Sequence, residues 1–122
     1  MRPNRKMRSA LTAVATALIV ALSSAAVHAQ AITDDTVDAA VASAKTVADH
    51  QALAAYFTAK SEQAKATVAQ HQKMASALTG KQGGSWQAHC QSLIKTYQEQ
   101  AKDYAGLAKV QTALATGMQH AQ

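Results

Sequence analysis

The chain has 122 residues, 48% of them hydrophobic but only 4% aromatic, and a formal net charge of +5 at pH 7. That length holds a single domain. Four of the twelve cations (Arg2, Arg5, Lys6 and Arg8) lie at the extreme N-terminus; from Gln30 onward eight lysines oppose seven acids with no arginine, a balance of +1. This removes the main support for a nucleic-acid partner and leaves no bidentate clamp for phosphate.

The basic start is followed by Ala10 to Leu22, an uncharged apolar run of signal-peptide length that is too short to span a bilayer comfortably. Val27-His28-Ala29 then places small or branched residues at a cleavage site before Gln30, with Ala29-Gln30-Ala31 as a second choice. The pattern predicts a cleavable signal peptide over 1–29, a periplasmic domain over 30–122, and no membrane association after cleavage. Cys90 is the only cysteine. In an oxidising compartment an odd cysteine points to an intermolecular disulfide, a metal ligand or a buried thiol.

Pro3 is the only proline, no alternating strand pattern occurs, and Ala, Gln, Lys and Thr dominate the mature chain. The expected fold is therefore all-α. Thr33 is a candidate N-cap, with Asp34 and Asp35 in the first turn, for a helix over 33–46. Asp49 is a second candidate cap, so a pause is expected between Thr46 and Asp49. From there the positions His50, Ala54, Phe57, Ser61, Ala64, Val68, His71, Ala75 and Leu78 alternate four and three apart, a heptad seam in a helix over 49–79. Gly80 and Ser85 bound a loop over 80–85. A second seam follows as Trp86, Cys90, Leu93, Tyr97, Gln100, Tyr104, Leu107, Gln111, Leu114 and Met118, in a helix over 86–119.

Two equal amphipathic helices joined by a short loop predict a long antiparallel hairpin, with the shorter first helix available to cover one open side. So small and alanine-rich a chain buries only a modest core, and self-association would make up the deficit. Two hairpins forming a four-helix bundle would bury the Tyr97, Tyr104 and Leu107 stripe more fully. A faint repeat at an offset of 40 matches Leu53 with Leu93, Phe57 with Tyr97 and Ala75 with Ala115, and sets His71 against Gln111. It is too degenerate for a solenoid.

Antiparallel pairing about the loop sets His71 opposite Ile94 and Ala75 opposite Cys90, with Met74 and His89 flanking the same level. His71, Met74, His89 and Cys90 form a soft donor set suited to copper(I) or zinc. The competing readings are an inert buried thiol with core methionine and histidine, and a Cys90–Cys90 disulfide joining two chains. A weaker group, His50, Met118 and His120, is expected at the far end of the hairpin. The acids are dispersed, Cys90 lacks a base and an oxyanion donor, and GKQGGS lacks the order of a phosphate loop, so no enzyme is expected. The aromatic residues Tyr56, Phe57, Trp86, Tyr97 and Tyr104 read as core, and Lys60, Lys65, Lys73, Lys95, Lys102 and Lys109 as solvated faces.

The pattern His50-x-x-Leu53-Ala54-x-Tyr56-Phe57, with His89-Cys90-x-x-Leu93-x-x-x-Tyr97 and Leu107-Ala108, resembles small exported helical proteins of Gram-negative bacteria over about Thr46 to Met118. Such sequences carry a further histidine where this chain has Gln111; if that histidine is a ligand in them, one is missing here. The resemblance implies export and a helical fold and says little about activity. The leading expectation is a non-enzymatic periplasmic helical bundle, either a scaffold or a binder of a soft metal at the hairpin end. The alternative is an interaction module that pairs with itself or with a partner helix.

Overall fold

The computed structural model describes residues 30–77 and 83–122. The expected signal peptide over 1–29, Leu78 and Thr79 of the expected second helix, and residues 80–82 of the expected loop lie outside the described residues. The described chain is all-α: α1 spans Val37–Ser43, α2 Val47–Ala77 and α3 Gly83–His120. The two long helices pack on each other as a hairpin, and α1 touches α2 but not α3. None of these helices is long and apolar enough to cross a membrane.

α1 is shorter than expected because the threonines ahead of it build a turn. Thr33 donates its amide to the Thr36 hydroxyl at 2.9 Å, and the amides of Thr36 and Val37 both return to the Thr33 carbonyl. Asp34 and Asp35 therefore precede the helix. Ala44 is extended, with φ −61° and ψ 122°, and this ends α1. The expected pause is present, but its cap is Thr46 and not Asp49. The Asp49 amide donates to the Thr46 hydroxyl at 3.1 Å, while the Asp49 carboxylate accepts the amides of Lys45 and Thr46 at 2.9 Å each. This reciprocal box satisfies the free amides that open α2. Those backbone and hydroxyl donors hold the Asp49 carboxyl below its ordinary pKa.

The seam of α2 follows the expected heptad closely. Phe57, Ser61, Ala64, Val68 and Ala75 are buried and His50, Ala54 and His71 half-buried, but Leu53, at 1% exposure, lies deeper than its neighbour Ala54. The seam of α3 is only half as expected. Cys90, Tyr97, Tyr104, Gln111 and Met118 face inward, yet the column beside them is Ile94, Ala101, Ala108 and Ala115. Leu93, Gln100, Leu107 and Leu114, assigned to the core by their spacing, stand one residue aside. The cause lies on α2: Phe57 stacks on Tyr104 at 6.3 Å, and the Ser61 hydroxyl donates to the Ala101 carbonyl at 2.8 Å. An approach that close needs a methyl group, and not a leucine, opposite it.

Ser85, expected as a cap, falls inside the first turn of α3, which begins at Gly83. At the far end the partners of α2 lie about one turn earlier along α3 than the residue count predicts. His50 accordingly meets Gln111 and not Met118 or His120.

Candidate functional site

At the loop end of the hairpin, Cys90 and His71 arise from facing seams. Cys90 is wholly enclosed, at 0% exposure, with its thiol unbonded to sulfur. A Cys90–Cys90 disulfide between chains would require the two helices to part. His71 stacks on Tyr97, with ring centroids 5.9 Å apart and planes at 14°, and not on Ile94 as the residue count predicts. Its Nδ1 is buried and has no hydrogen-bond partner. Met74 is half-buried. His89 turns away from the seam, exposed, with its ring 6.0 Å from that of Trp86. The four expected ligands are thus an enclosed thiol, a stacked ring, a half-buried thioether and an imidazole on an outer face. Among the described residues no three histidine, cysteine, aspartate or glutamate side chains gather as a metal-holding group.

The weaker group at the far end is divided as well. His50 Nδ1 lies 2.7 Å from Gln111 Oε1, which suits the tautomer with its proton on Nδ1. Gln111 is buried, Met118 is half-buried and His120 is exposed. The glutamine at the position of the missing histidine is therefore a packing partner of His50, satisfying a polar contact inside the seam.

A cluster that spacing did not indicate ties the N-terminal segment to the hairpin. Asp34 accepts from the Tyr56 hydroxyl at 2.5 Å and from Lys60 Nζ at 3.0 Å, while Lys60 Nζ also lies 5.9 Å from the centre of the Tyr104 ring. Lys60, expected to be solvated, is half-buried. Its partners lie far apart in the chain, which is why no local pattern announces them. The Tyr56 bond, and then Lys60, hold Asp34 below its ordinary carboxyl value; the same bond pushes the Tyr56 phenol up to about 12.

Four of the five exposed large apolar side chains among the described residues are on α3. Trp86, Leu107, Val110 and Leu114 are 45%, 44%, 53% and 46% exposed, with Leu93 half-buried on the same line. Trp86, Leu93, Leu107 and Leu114 share one heptad column with Gln100, and Val110 belongs to the column beside it with His89, Thr96 and Asp103. Lys95, Lys102 and Lys109 occupy a different column. α3 thus carries two parallel tracks: an inner one of Ile94 and three alanines packed against α2, and an outer one whose large apolar residues Trp86, Leu107, Val110 and Leu114 are exposed. An open groove lined by Lys60, Gln63, Thr67, Tyr97, Gln100 and Tyr104 runs between the outer track and α2. Scattered exposed leucines are ordinary, whereas a line of them at heptad spacing marks a contact surface.

No protein-family model, curated protein or solved structure matches the chain.

Proposed function

We propose that this protein is an exported, non-enzymatic helical hairpin that works by docking a partner helix along the outer track of α3. The observation that carries the reading is the displaced column. Trp86, Leu107, Val110 and Leu114 of α3 stand on its outer surface, while Ala101 and Ala115 fill its own core beside Ile94 and Cys90. A hairpin of this size gains little from exposing leucines to water, since each buried one contributes roughly 1.5–3 kcal/mol. A helix laid into such a track is a recurrent mode of recognition, read as anchors at three- and four-residue spacing. The basic, apolar and small-residue order of residues 1–29 supports export to the periplasm.

A photoreactive residue introduced at Leu107 or Val110 in cells should give a protein adduct, and one at Lys102, on a different column, should not. No adduct from Leu93, Leu107 or Leu114 would overturn the docking role. Export is tested separately by N-terminal sequencing of the protein recovered from cells. Gln30 is the expected first residue, and Met1 would refute cleavage.

A further inference from the structure

The outer track is symmetric about its own midpoint. Trp86 and Leu114 lie equally far on either side of Gln100, as do Leu93 and Leu107. In the neighbouring column His89 mirrors Val110 and Thr96 mirrors Asp103, about a centre half a residue away. We infer that the partner is a second copy of this chain, with the two α3 helices packed antiparallel about a two-fold axis at Gln100. This rests on the docking role proposed above and names its occupant.

The pairing follows residue by residue. Antiparallel α3 helices crossing at Gln100 set Trp86 against Leu114 of the second copy and Leu93 against its Leu107, at both ends of a contact about 42 Å long. Gln100 meets its own twin, and Thr96 meets Asp103 of the second copy. In the main column apolar residues therefore cover apolar residues at the two ends and Gln100 meets its twin in the middle; in the neighbouring column Val110 packs on the ring of the second copy's His89 and Thr96 meets its Asp103. An interface of this kind is self-complementary, as a two-fold axis demands. The order apolar, apolar, polar, apolar, apolar along Trp86, Leu93, Gln100, Leu107 and Leu114 reads the same in both directions, so one copy presents what an antiparallel second copy needs.

Charge selects the direction. A parallel pair would set Asp103 against Asp103, a like-charge contact on a track with no other ionised residue. The antiparallel pair separates those carboxylates by about 9 Å along the axis and offers each one a Thr96 hydroxyl as donor. The two Gln100 amides can each donate to and accept from the other. A polar pair at the centre fixes register, because sliding by a heptad would bury each amide against leucine. Lys95, Lys102 and Lys109 stay out of the contact, and α1, which does not touch α3, leaves the track open.

The test uses the full mature chain with Cys90 retained, since that thiol is enclosed. The wild-type protein should sediment as a dimer and give no covalent dimer on mild oxidation. Leu107→Glu should shift it to monomer with its helical circular dichroism intact. Gln100→Cys, at an exposed position, should oxidise to a covalent dimer. Leu107→Cys alone should not, because its two copies would lie about 21 Å apart along the axis. A mixture of Leu93→Cys and Leu107→Cys chains should give the mixed product. A monomer at every concentration, or Leu107→Cys joining to itself as readily as Gln100→Cys, would overturn the inference. If purified protein is monomeric while Leu107 still forms an adduct with another protein in cells, self-pairing fails and the docking role stands. No adduct of either kind removes both.

Discussion

The Ser61 hydroxyl donates to the backbone carbonyl of Ala101 across the hairpin at 2.8 Å, with the serine side chain only 3% exposed. This contact records how closely the two long helices approach at mid-length. Ser61→Ala removes one hydrogen bond and should cost about 1 kcal/mol, because the carbonyl stays inside a helix. Ser61→Leu should cost more, roughly 1–3 kcal/mol, because the added carbons have no room against Ala101. Denaturant unfolding ranks the two variants; equal stability would show that the helices stand further apart.

Gly106 is exposed on α3, and a methyl group added there would meet nothing within 4 Å. Gly106→Ala should therefore stabilise the protein by roughly 0.5–1 kcal/mol, through helix propensity alone. The same unfolding measurement checks it, and a loss of stability would mean that the site is occupied by something this single chain lacks.

The Asp34–Tyr56 bond sets a pH window for the attachment of the N-terminal segment. The Tyr56 phenol stands at about 12 in the folded chain against an ordinary 10.0, so its contribution is complete below pH 10 and is lost as the pH rises towards 12. The Asp34 carboxyl is lowered, so its contribution is present above its ordinary value of 3.8 and is lost on acidification. Ultraviolet absorbance titration should show one of the three tyrosines ionising late. Asp34→Ala should return that tyrosine to the ordinary range. Amide exchange over Val37–Ser43 should quicken at both extremes of pH while the centre of α2 holds.

His71 stacks on Tyr97 with a buried Nδ1 that nothing in the chain satisfies. An orphaned polar atom costs roughly 1–3 kcal/mol, so His71→Phe should match or exceed wild-type stability in metal-free buffer. The variant also tests the soft-metal expectation. If His71 and Cys90 bind copper(I) or zinc, added metal raises the melting temperature of wild type but not of His71→Phe or Cys90→Ala. No shift in wild type would count the nitrogen as a packing cost only.

Cys90, at 0% exposure, should react with thiol reagents only as fast as the hairpin opens. Alkylation should therefore accelerate with denaturant in step with unfolding. Prompt labelling in native buffer would place the thiol at the surface and revive an intermolecular disulfide.

The hairpin itself was legible because glycine breaks, heptad spacing and helix propensity all agree along the mature chain. The seam of α2 was legible too, since Phe57 and Val68 have no competing column of large residues. On α3 two columns satisfy the same spacing and share Cys90, Tyr97, Tyr104, Gln111 and Met118. Leucine at 93, 107 and 114 tips a sequence-based choice towards the wrong one. What decides is the bulk of Phe57 and the hydroxyl of Ser61 on the other helix, a fact that no local window contains. The box of Thr46 and Asp49 was within reach, since its three-residue spacing is visible in the sequence. That His71 and Cys90 lie on the inward seams was likewise readable, but the partner of His71, the depth of the thiol and the outward turn of His89 depend on the side-chain packing of the finished fold.

The alanine track of α3 has a thermodynamic signature. Heat capacity change and denaturant sensitivity both scale with the surface uncovered on unfolding. A seam closed by Ala101, Ala108 and Ala115 uncovers little apolar area for its length. The isolated hairpin should therefore lose structure over a broad range of temperature, with a shallow dependence on urea and a flat stability curve around its maximum.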